Sequence, residues 1–267
     1  MKSTLNRVST LVAVVLIRLI PEPIYFRIRR LFLGSYYRFV HLNYHYELRT
    51  ITQRTVIGPI RTYELYNRHG RDRMLQEIDA LCDETSLIVD VGANVGIYAC
   101  ALTNKRPDRN VIAVEPVPSV VEKLRKNIAR NQLTDQITVI AGCLGEKSGN
   151  REFFVSSYTE LSSTKQQSAE RWEARVTNSI TVRQYRLDDI CETKSPDVIK
   201  IDVEGAAADV LAGGTSILEH AQPAIVLEVH TEGLTEKEPT ACRRILESYE
   251  YAVTEFEDFW VAKPTGS

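Results

Sequence analysis

The chain has 267 residues, with 33 Lys and Arg against 35 Asp and Glu, a formal net charge of −2 and 43% hydrophobic residues. That length accommodates one large α/β domain with an appendage, and the near-neutral balance excludes a global electrostatic pull towards nucleic acid. Five scattered cysteines (Cys82, Cys100, Cys143, Cys191, Cys242) without a Cys-x-x-Cys pair argue against a disulfide framework or a zinc site and for reduced thiols in a cytosolic compartment.

The charge is unevenly placed. Residues 1–60 hold nine Lys and Arg against Glu22 and Glu47, which leaves +7 there and −9 on the rest. Residues 4–20 read as a helix that is apolar from Leu11 to Ile17, too short for a bilayer span of ~20 residues. Pro21-Glu22-Pro23 follows in place of a small-residue cleavage site, which disfavours a signal peptide. Beyond it Ile24, Ile28, Leu31, Phe32 and Phe39 alternate with Arg27, Arg29, Arg30 and Arg38. Two readings stand: a peripheral contact with an anionic inner membrane face, or a helical pair packed on protein. From His41 to Leu65 the pattern turns to alternation (Tyr44, Tyr46, Leu48, then Val56, Ile57 and Tyr63) with a turn at Gly58-Pro59, so a small antiparallel element is expected. Residues 1–65 are thus read as a helical, basic extension with a small β element, and 66–267 as the main domain.

The main domain opens with an amphipathic helix over Arg71–Cys82 and a strand over Leu87–Asp90, and then alternates. Helix Val95–Lys105, strand Val111–Val114, helix Val120–Asn131 and strand Thr138–Ile140 follow in turn. A long excursion spans 142–197, with strands at Glu152–Val155 and Ile180–Tyr185. Strand Val198–Asp202, helix Ala206–Leu218, strand Ala224–His230, helix Thr240–Tyr249 and strands at Tyr251–Glu255 and Phe259–Ala262 complete it. Strands alternating with helices predict a mostly parallel sheet covered on both faces, with an antiparallel hairpin at the end.

Ligands of such sheets bind beyond the carboxyl ends of the strands, and those ends carry Asp90, Glu115, Asp202 and His230. The turn Gly92-Ala93-Asn94-Val95-Gly96 lacks the middle glycine of the dinucleotide fingerprint, and Asp90 would repel a pyrophosphate. An acid there suits a cationic amine, and Glu115 one strand on suits two ribose hydroxyls. An ammonium and a ribose without a pyrophosphate describe S-adenosylmethionine.

Asp90-Val91-Gly92-Ala93-Asn94-Val95-Gly96, then Glu115-Pro116, then Lys200-Ile201-Asp202-Val203-Glu204-Gly205 resembles the FkbM-type methyltransferase family over about residues 85–230. The resemblance implies a class I methyltransferase fold, a Rossmann-like, mostly parallel seven-stranded sheet with helices on both faces. It further implies O-methylation, often of sugar or polyketide hydroxyls. By position, Asp90, Gly92, Ala93, Asn94 and Gly96 would cradle the methionine portion of the cofactor and Glu115 and Pro116 the ribose. Gly142, Cys143 and Leu144 would border the adenine, and Asp202 the ligand or acceptor. The family commonly has an acid two residues after the last glycine of the third motif, where this chain has Ala207.

Transfer to an aliphatic hydroxyl needs a base. His230 has the most suitable ordinary pKa, with Asp202 and Glu204 as further candidates. Lys200 shares a strand face with Asp202, which predicts an ion pair. No obligatory metal is expected. The polar stretch Ser156–Asn178, with Tyr158, Glu160, Arg171 and Trp172, is expected to form an acceptor lid. The acceptor expected is a small molecule or glycan. Methylation of RNA or protein is disfavoured by the acidic body, and a nucleotide-dependent oxidoreductase or a silent binding module are the readings from other classes.

Overall fold

The computed structural model describes residues 38–64, 72–157, 162–170, 175–191, 194–229 and 237–266, in two compact units, Met1–Thr50 and Ile51–Ser267. The predicted helix over 4–20 and Arg27, Arg29 and Arg30 lie outside the described residues. In the first unit residues 38–46 form helix α1, so the alternation of Tyr44, Tyr46 and Leu48 does not mark a strand. Asn43 decides the local structure: its side-chain amide donates to the Arg49 carbonyl (2.8 Å) and accepts from the Arg49 N–H (2.7 Å). This double clasp turns the chain back at the helix end, where a strand would have continued.

The second unit begins with the hairpin β1 (Ile51–Thr55) and β2 (Gly58–Thr62), which turns at Val56-Ile57, two residues before the Gly58-Pro59 expected. The hairpin is thus part of the second unit, which begins at Ile51. Asn131 fixes it there, accepting from the Arg61 N–H (2.8 Å) and donating to the Arg61 carbonyl (2.7 Å).

After α2 (Arg73–Leu81) the chain winds through β3 (Leu87–Val91), α3 (Ile97–Thr103), β4 (Asn110–Glu115), α4 (Pro118–Asn131) and β5 (Ile137–Ala141). The excursion holds β6 (Cys143–Leu144), β7 (Gly149–Ser156), α5 (Gln166–Ala169), β8 (Val176–Tyr185) and α6 (Leu187–Ile190). The fold closes with β9 (Val198–Ile201), α7 (Ala207–Ala212), β10 (Ala224–Glu228), α8 (Lys237–Ser248), β11 (Tyr251–Glu255) and β12 (Phe259–Pro264). Seven strands form one sheet in the order β11-β12-β10-β9-β3-β4-β5, parallel except for β12, which runs antiparallel to both neighbours. This is the seven-stranded, class I methyltransferase arrangement expected.

The apolar runs of the central strands are continuous because both faces are covered. Ile88, Val111, Ala113 and Val198 turn to a core shared with Met74, Ile78, Leu102, Leu124 and Ile128 of α2, α3 and α4. Val89, Val91, Ile199, Ile201 and Leu227 turn to the other, shared with Leu187, Leu211 and Leu246. At about 25 cal/mol per Å² of apolar surface, the two cores supply the dominant stabilisation.

The two strands expected in the excursion are present and longer than predicted, because their outer faces are solvated: with β6 they make a separate three-stranded sheet in the order β6-β8-β7. Tyr158, Glu160, Arg171 and Trp172 lie outside the described residues. The helix expected over Ala206–Leu218 stops at Ala212 and resumes as a π-turn, Ile217–Ala221. Gly213 and Gly214 separate the two because a Cβ at Gly213 would lie 2.2 Å from the Gly145 carbonyl oxygen. The interruption lets the excursion approach the sheet domain.

Candidate active site

The turn after β3 gathers three left-handed residues, Gly92 (φ +77°), Asn94 (φ +49°) and Gly96 (φ +82°). The N–H groups of Gly92 and Ala93 both donate to the Val114 carbonyl at 3.0 Å, tying the turn to β4. Gly92 has a second constraint. A Cβ there would stand 1.9 Å from the backbone oxygen of Asp202, so the glycine lets β9 and the turn close on each other. Gly92→Ala is expected to cost about 3–5 kcal/mol from strain and overpacking and to displace Asp202. Chemical denaturation with a cofactor-binding isotherm checks both.

Beneath the turn lies a buried ion pair. Asp90 and Lys200 face each other across the parallel β3–β9 ladder, with Asp90 0% and Lys200 2% exposed. The Lys200 ammonium donates to Asp90 Oδ1 at 2.8 Å and to the Gly92 carbonyl at 3.1 Å. It also lies 3.4 Å from Asp202 Oδ2 and 5.0 Å from the centre of the Tyr98 ring. Burial works against the ammonium, but Asp90, Asp202 and Glu228 outweigh it and hold its pKa above the ordinary lysine range. Asp90 is thus a compensated charge and does not reach the rim as a bare anion, while its Oδ2 is buried without a hydrogen-bond partner. Tyr98 is held in turn, its hydroxyl 2.7 Å from both carboxylate oxygens of Asp72, which also caps α2 through the Leu75 N–H.

Glu115 ends β4, 7% exposed. Its Oε2 accepts from the Asn94 N–H and its Oε1 from the Val117 N–H, both at 3.0 Å. Burial pushes its pKa up to about 7, against the pull of those two N–H groups and of Lys200. Each oxygen keeps lone-pair capacity. Pro116 is half-buried beside it. The Gly142 N–H donates to the Glu115 carbonyl (3.0 Å), placing Gly142, Cys143 and Leu144 at the next strand end. The Cys143 thiol is buried and its pKa is raised by burial to about 11, so this residue packs as a neutral group.

On the other side of the turn, Asp202 stands at the end of β9 with its side chain 32% exposed. Glu204 is buried, and its backbone carbonyl accepts from Ser163 Oγ of the excursion at 2.5 Å. His230 lies outside the described residues. Two acids that sequence reasoning did not single out complete the rim. Glu228 ends β10, one residue past the Leu227–Ile201 pair, where Asp202 is its counterpart on β9. Glu238 opens α8. It accepts from the Ala208 N–H at 3.0 Å and pairs with Lys165 of the excursion at 2.9 Å. The N-terminus of α7 has no side-chain cap of its own and is capped from α8. Glu228 and Glu238 line a small, half-open cleft with Val203, Leu227, Pro239 and Cys242.

Residues 90–253, more than half of the chain, match the family model described as the methyltransferase FkbM domain. The chain belongs to the FkbM methyltransferase family. It is 30% identical over 181 residues to the hexuronic acid methyltransferase AglP of Haloferax volcanii, a match covering 67% of this chain and 70% of that one. It is also 30% identical over 146 residues to the 2-O-methyltransferase NoeI of Sinorhizobium fredii, covering 49% and 58%. Among solved structures, the precorrin-6y C5,15-methyltransferase of Geobacter metallireducens superposes with a TM-score of 0.50 at 14% identity, covering 80% of this chain and 100% of that one. An FkbM methyltransferase of Methylobacillus flagellatus superposes at 0.49 and 19%, covering 84% and 50%.

As an FkbM-family methyltransferase the protein uses S-adenosylmethionine, and the residues present fit that group. The turn offers a close backbone approach, Asp90 Oδ2 is a buried acceptor without a donor, and the Glu115 carboxylate suits a vicinal diol.

Proposed function

We propose that this enzyme methylates a hydroxyl oxygen of a sugar, free or within a glycan. The observation that carries the reading is the cleft beside Asp202, walled by Glu228 and Glu238 with apolar Val203, Leu227 and Pro239 between them. Carboxylates accept hydrogen bonds from hydroxyls, and small apolar side chains pack on the C–H faces of a sugar ring. The two relatives named for a hexuronic acid and for 2-O transfer support it.

The cofactor supplies a methyl group on a sulfonium, which leaves as a thioether when an oxygen takes the methyl. The Gly92–Gly96 turn and Glu115 hold and orient the cofactor on the β3–β4 side, which leaves the β9–β10 side for the acceptor. Asp202, fixed by Lys200, accepts a hydrogen bond from the acceptor and orients its hydroxyl. The imidazole of His230, next in the chain after Val229, takes the hydroxyl proton as the new C–O bond forms. Glu204 steadies the excursion through its bond to Ser163. Mass spectrometry of glycans and glycolipids from cells with and without the protein tests the reading. A sugar that loses one methyl group with the gene is the expected result, and an unchanged profile overturns it.

We infer further that the enzyme works at the cytoplasmic face of a membrane. No helix among the described residues is long and apolar enough to cross one; the contact we infer is peripheral. Phe39, Leu42 and Tyr46 lie at helical spacing on α1 and are exposed, as is Arg38 beside them, and the nine cations of residues 1–60 complement anionic lipid. The protein should float with phosphatidylglycerol vesicles. The Arg27→Ala, Arg29→Ala, Arg30→Ala triple variant should lose most of that binding, and undiminished flotation of the variant would sink the membrane reading.

A further inference from the structure

We propose that Asn127 is a positioning residue for cofactor binding: from α4 its side-chain amide holds the cofactor turn in the shape that presents the Asn94 N–H to Glu115. The inference rests on the reading above that the Gly92–Gly96 turn and Glu115 hold S-adenosylmethionine. Asn127 is 0% exposed and stands with Val120, Leu124 and Ile128 on the buried face of α4. A polar group there costs free energy unless it is hydrogen-bonded, and asparagine favours a helix less than alanine or leucine does. The amide nitrogen of Asn127 donates to the Val95 carbonyl at 2.8 Å.

That carbonyl lies one residue ahead of Gly96, whose own carbonyl begins the ladder of α3 by accepting from the Cys100 N–H at 2.9 Å. It therefore stands outside the helix ladder, and a buried carbonyl has to find its partner elsewhere. The same helix touches the turn a second time. A Cβ on Gly96 would stand 2.3 Å from Leu124 Cδ1, so Leu124 and Asn127, neighbours on one helix face, meet Gly96 and Val95 together. The cap residue of α4 closes the circuit. The Val117 N–H donates to Glu115 Oε1 and the Asn94 N–H to Oε2, both at 3.0 Å. The Glu115 carboxylate thus takes one N–H from the start of α4 and one from the turn, and the Asn127–Val95 bond ties those two donors to each other. Without the amide, the Gly92 and Ala93 N–H groups still bond to Val114, so the Asn94–Val95 end of the turn is the part that loosens. The charged groups that act on Glu115 are Lys200 of β9 and Asp90 of β3, and the variants below keep both.

The test measures S-adenosylmethionine binding by calorimetry from pH 6 to pH 9 on the full-length protein and two variants. Asn127→Leu keeps the volume and removes the donor, and Asn127→Ala removes it with the residue a helix tolerates best. Both should bind about tenfold more weakly at pH 8. The pH at which affinity levels off should rise by about one unit, because a carboxylate that loses an N–H donor keeps its proton longer. Asn131→Ala cuts the β1–β2 hairpin from the same helix and should lower the melting temperature without moving that pH. If both Asn127 variants bind within about twofold of the parent and keep its pH profile, or only melt earlier as Asn131→Ala does, the inference is overturned and the cofactor reading stands. Glu115→Gln tests that reading separately: if it binds with the parent's affinity and pH profile, the reading fails and the inference with it.

Discussion

Replacing Lys200 by methionine should lower the unfolding midpoint of the protein by about 10 °C. The substitution keeps the volume but leaves Asp90, which is 0% exposed, as a charge with no counter-ion. Breaking a buried pair from one side costs about 3–5 kcal/mol, and a domain of this size loses ~2–4 °C per kcal/mol. The companion change Asp90→Asn in the same chain should restore most of the loss, because a neutral buried pair needs no compensation. If the single variant melts like the parent, Asp90 is not the buried anion described. The pH window has a definite sign. The folded pKa of Lys200 lies above the ordinary lysine value of 10.5, so the contribution is complete below about pH 10 and is lost only as alkali titrates the folded group. Activity should fall in the single variant as well, because Asp202 loses the ammonium that fixes it 3.4 Å away.

Binding of S-adenosylmethionine should tighten about tenfold between pH 6 and pH 8. Burial lifts the pKa of Glu115 to about 7 in the ligand-free protein, so at pH 6 most molecules hold the proton and at pH 8 few do. Ribose hydroxyls donate to the ionised carboxylate, so binding must expel that proton, and the proton competes until the pH passes about 7. Calorimetry across this range should show proton release that fades above pH 8. Glu115→Gln should remove the pH dependence and weaken binding at pH 8 by about tenfold. A flat affinity for the parent protein from pH 6 to 8 would refute Glu115 as the ribose acceptor. The effect on stability runs the other way. The folded state keeps its proton to higher pH than the unfolded chain does. What Glu115 contributes is therefore fullest below pH 4.5 and declines by up to about 3 kcal/mol as the pH rises through 7.

Most of the architecture was legible from local pattern. Val198–Ile201 and Leu87–Val91 are short runs, apolar but for Lys200 and Asp90, of the kind that strands covered on both faces produce. Gly92, Asn94 and Gly96 in one turn announce left-handed backbone by residue type alone. Where local pattern misled, a specific hydrogen bond or close approach had decided the matter. Tyr44 and Tyr46 keep a strand-like spacing, yet the Asn43–Arg49 clasp closes a helix there. Ala206–Leu218 reads as one helix until the Gly145 carbonyl arrives against Gly213.

The sequence by itself determined the cofactor turn, the acid at each strand end and the order of strands and helices, because these depend on residue type and on spacing within about a dozen positions. The tertiary structure alone decided what those acids do. Lys200 shares a strand face with Asp202, but its shorter bond is to Asp90, 110 residues away. The start of α7 has no side-chain cap of its own until Glu238, from another helix, supplies the carboxylate and draws in Lys165. Charge pairing falls off with distance in space and is indifferent to distance along the chain. Strand ends that read as a row of equivalent anions are sorted only on folding, into a buried pair at Asp90, a titrating acceptor at Glu115 and a small cleft at Glu228 and Glu238.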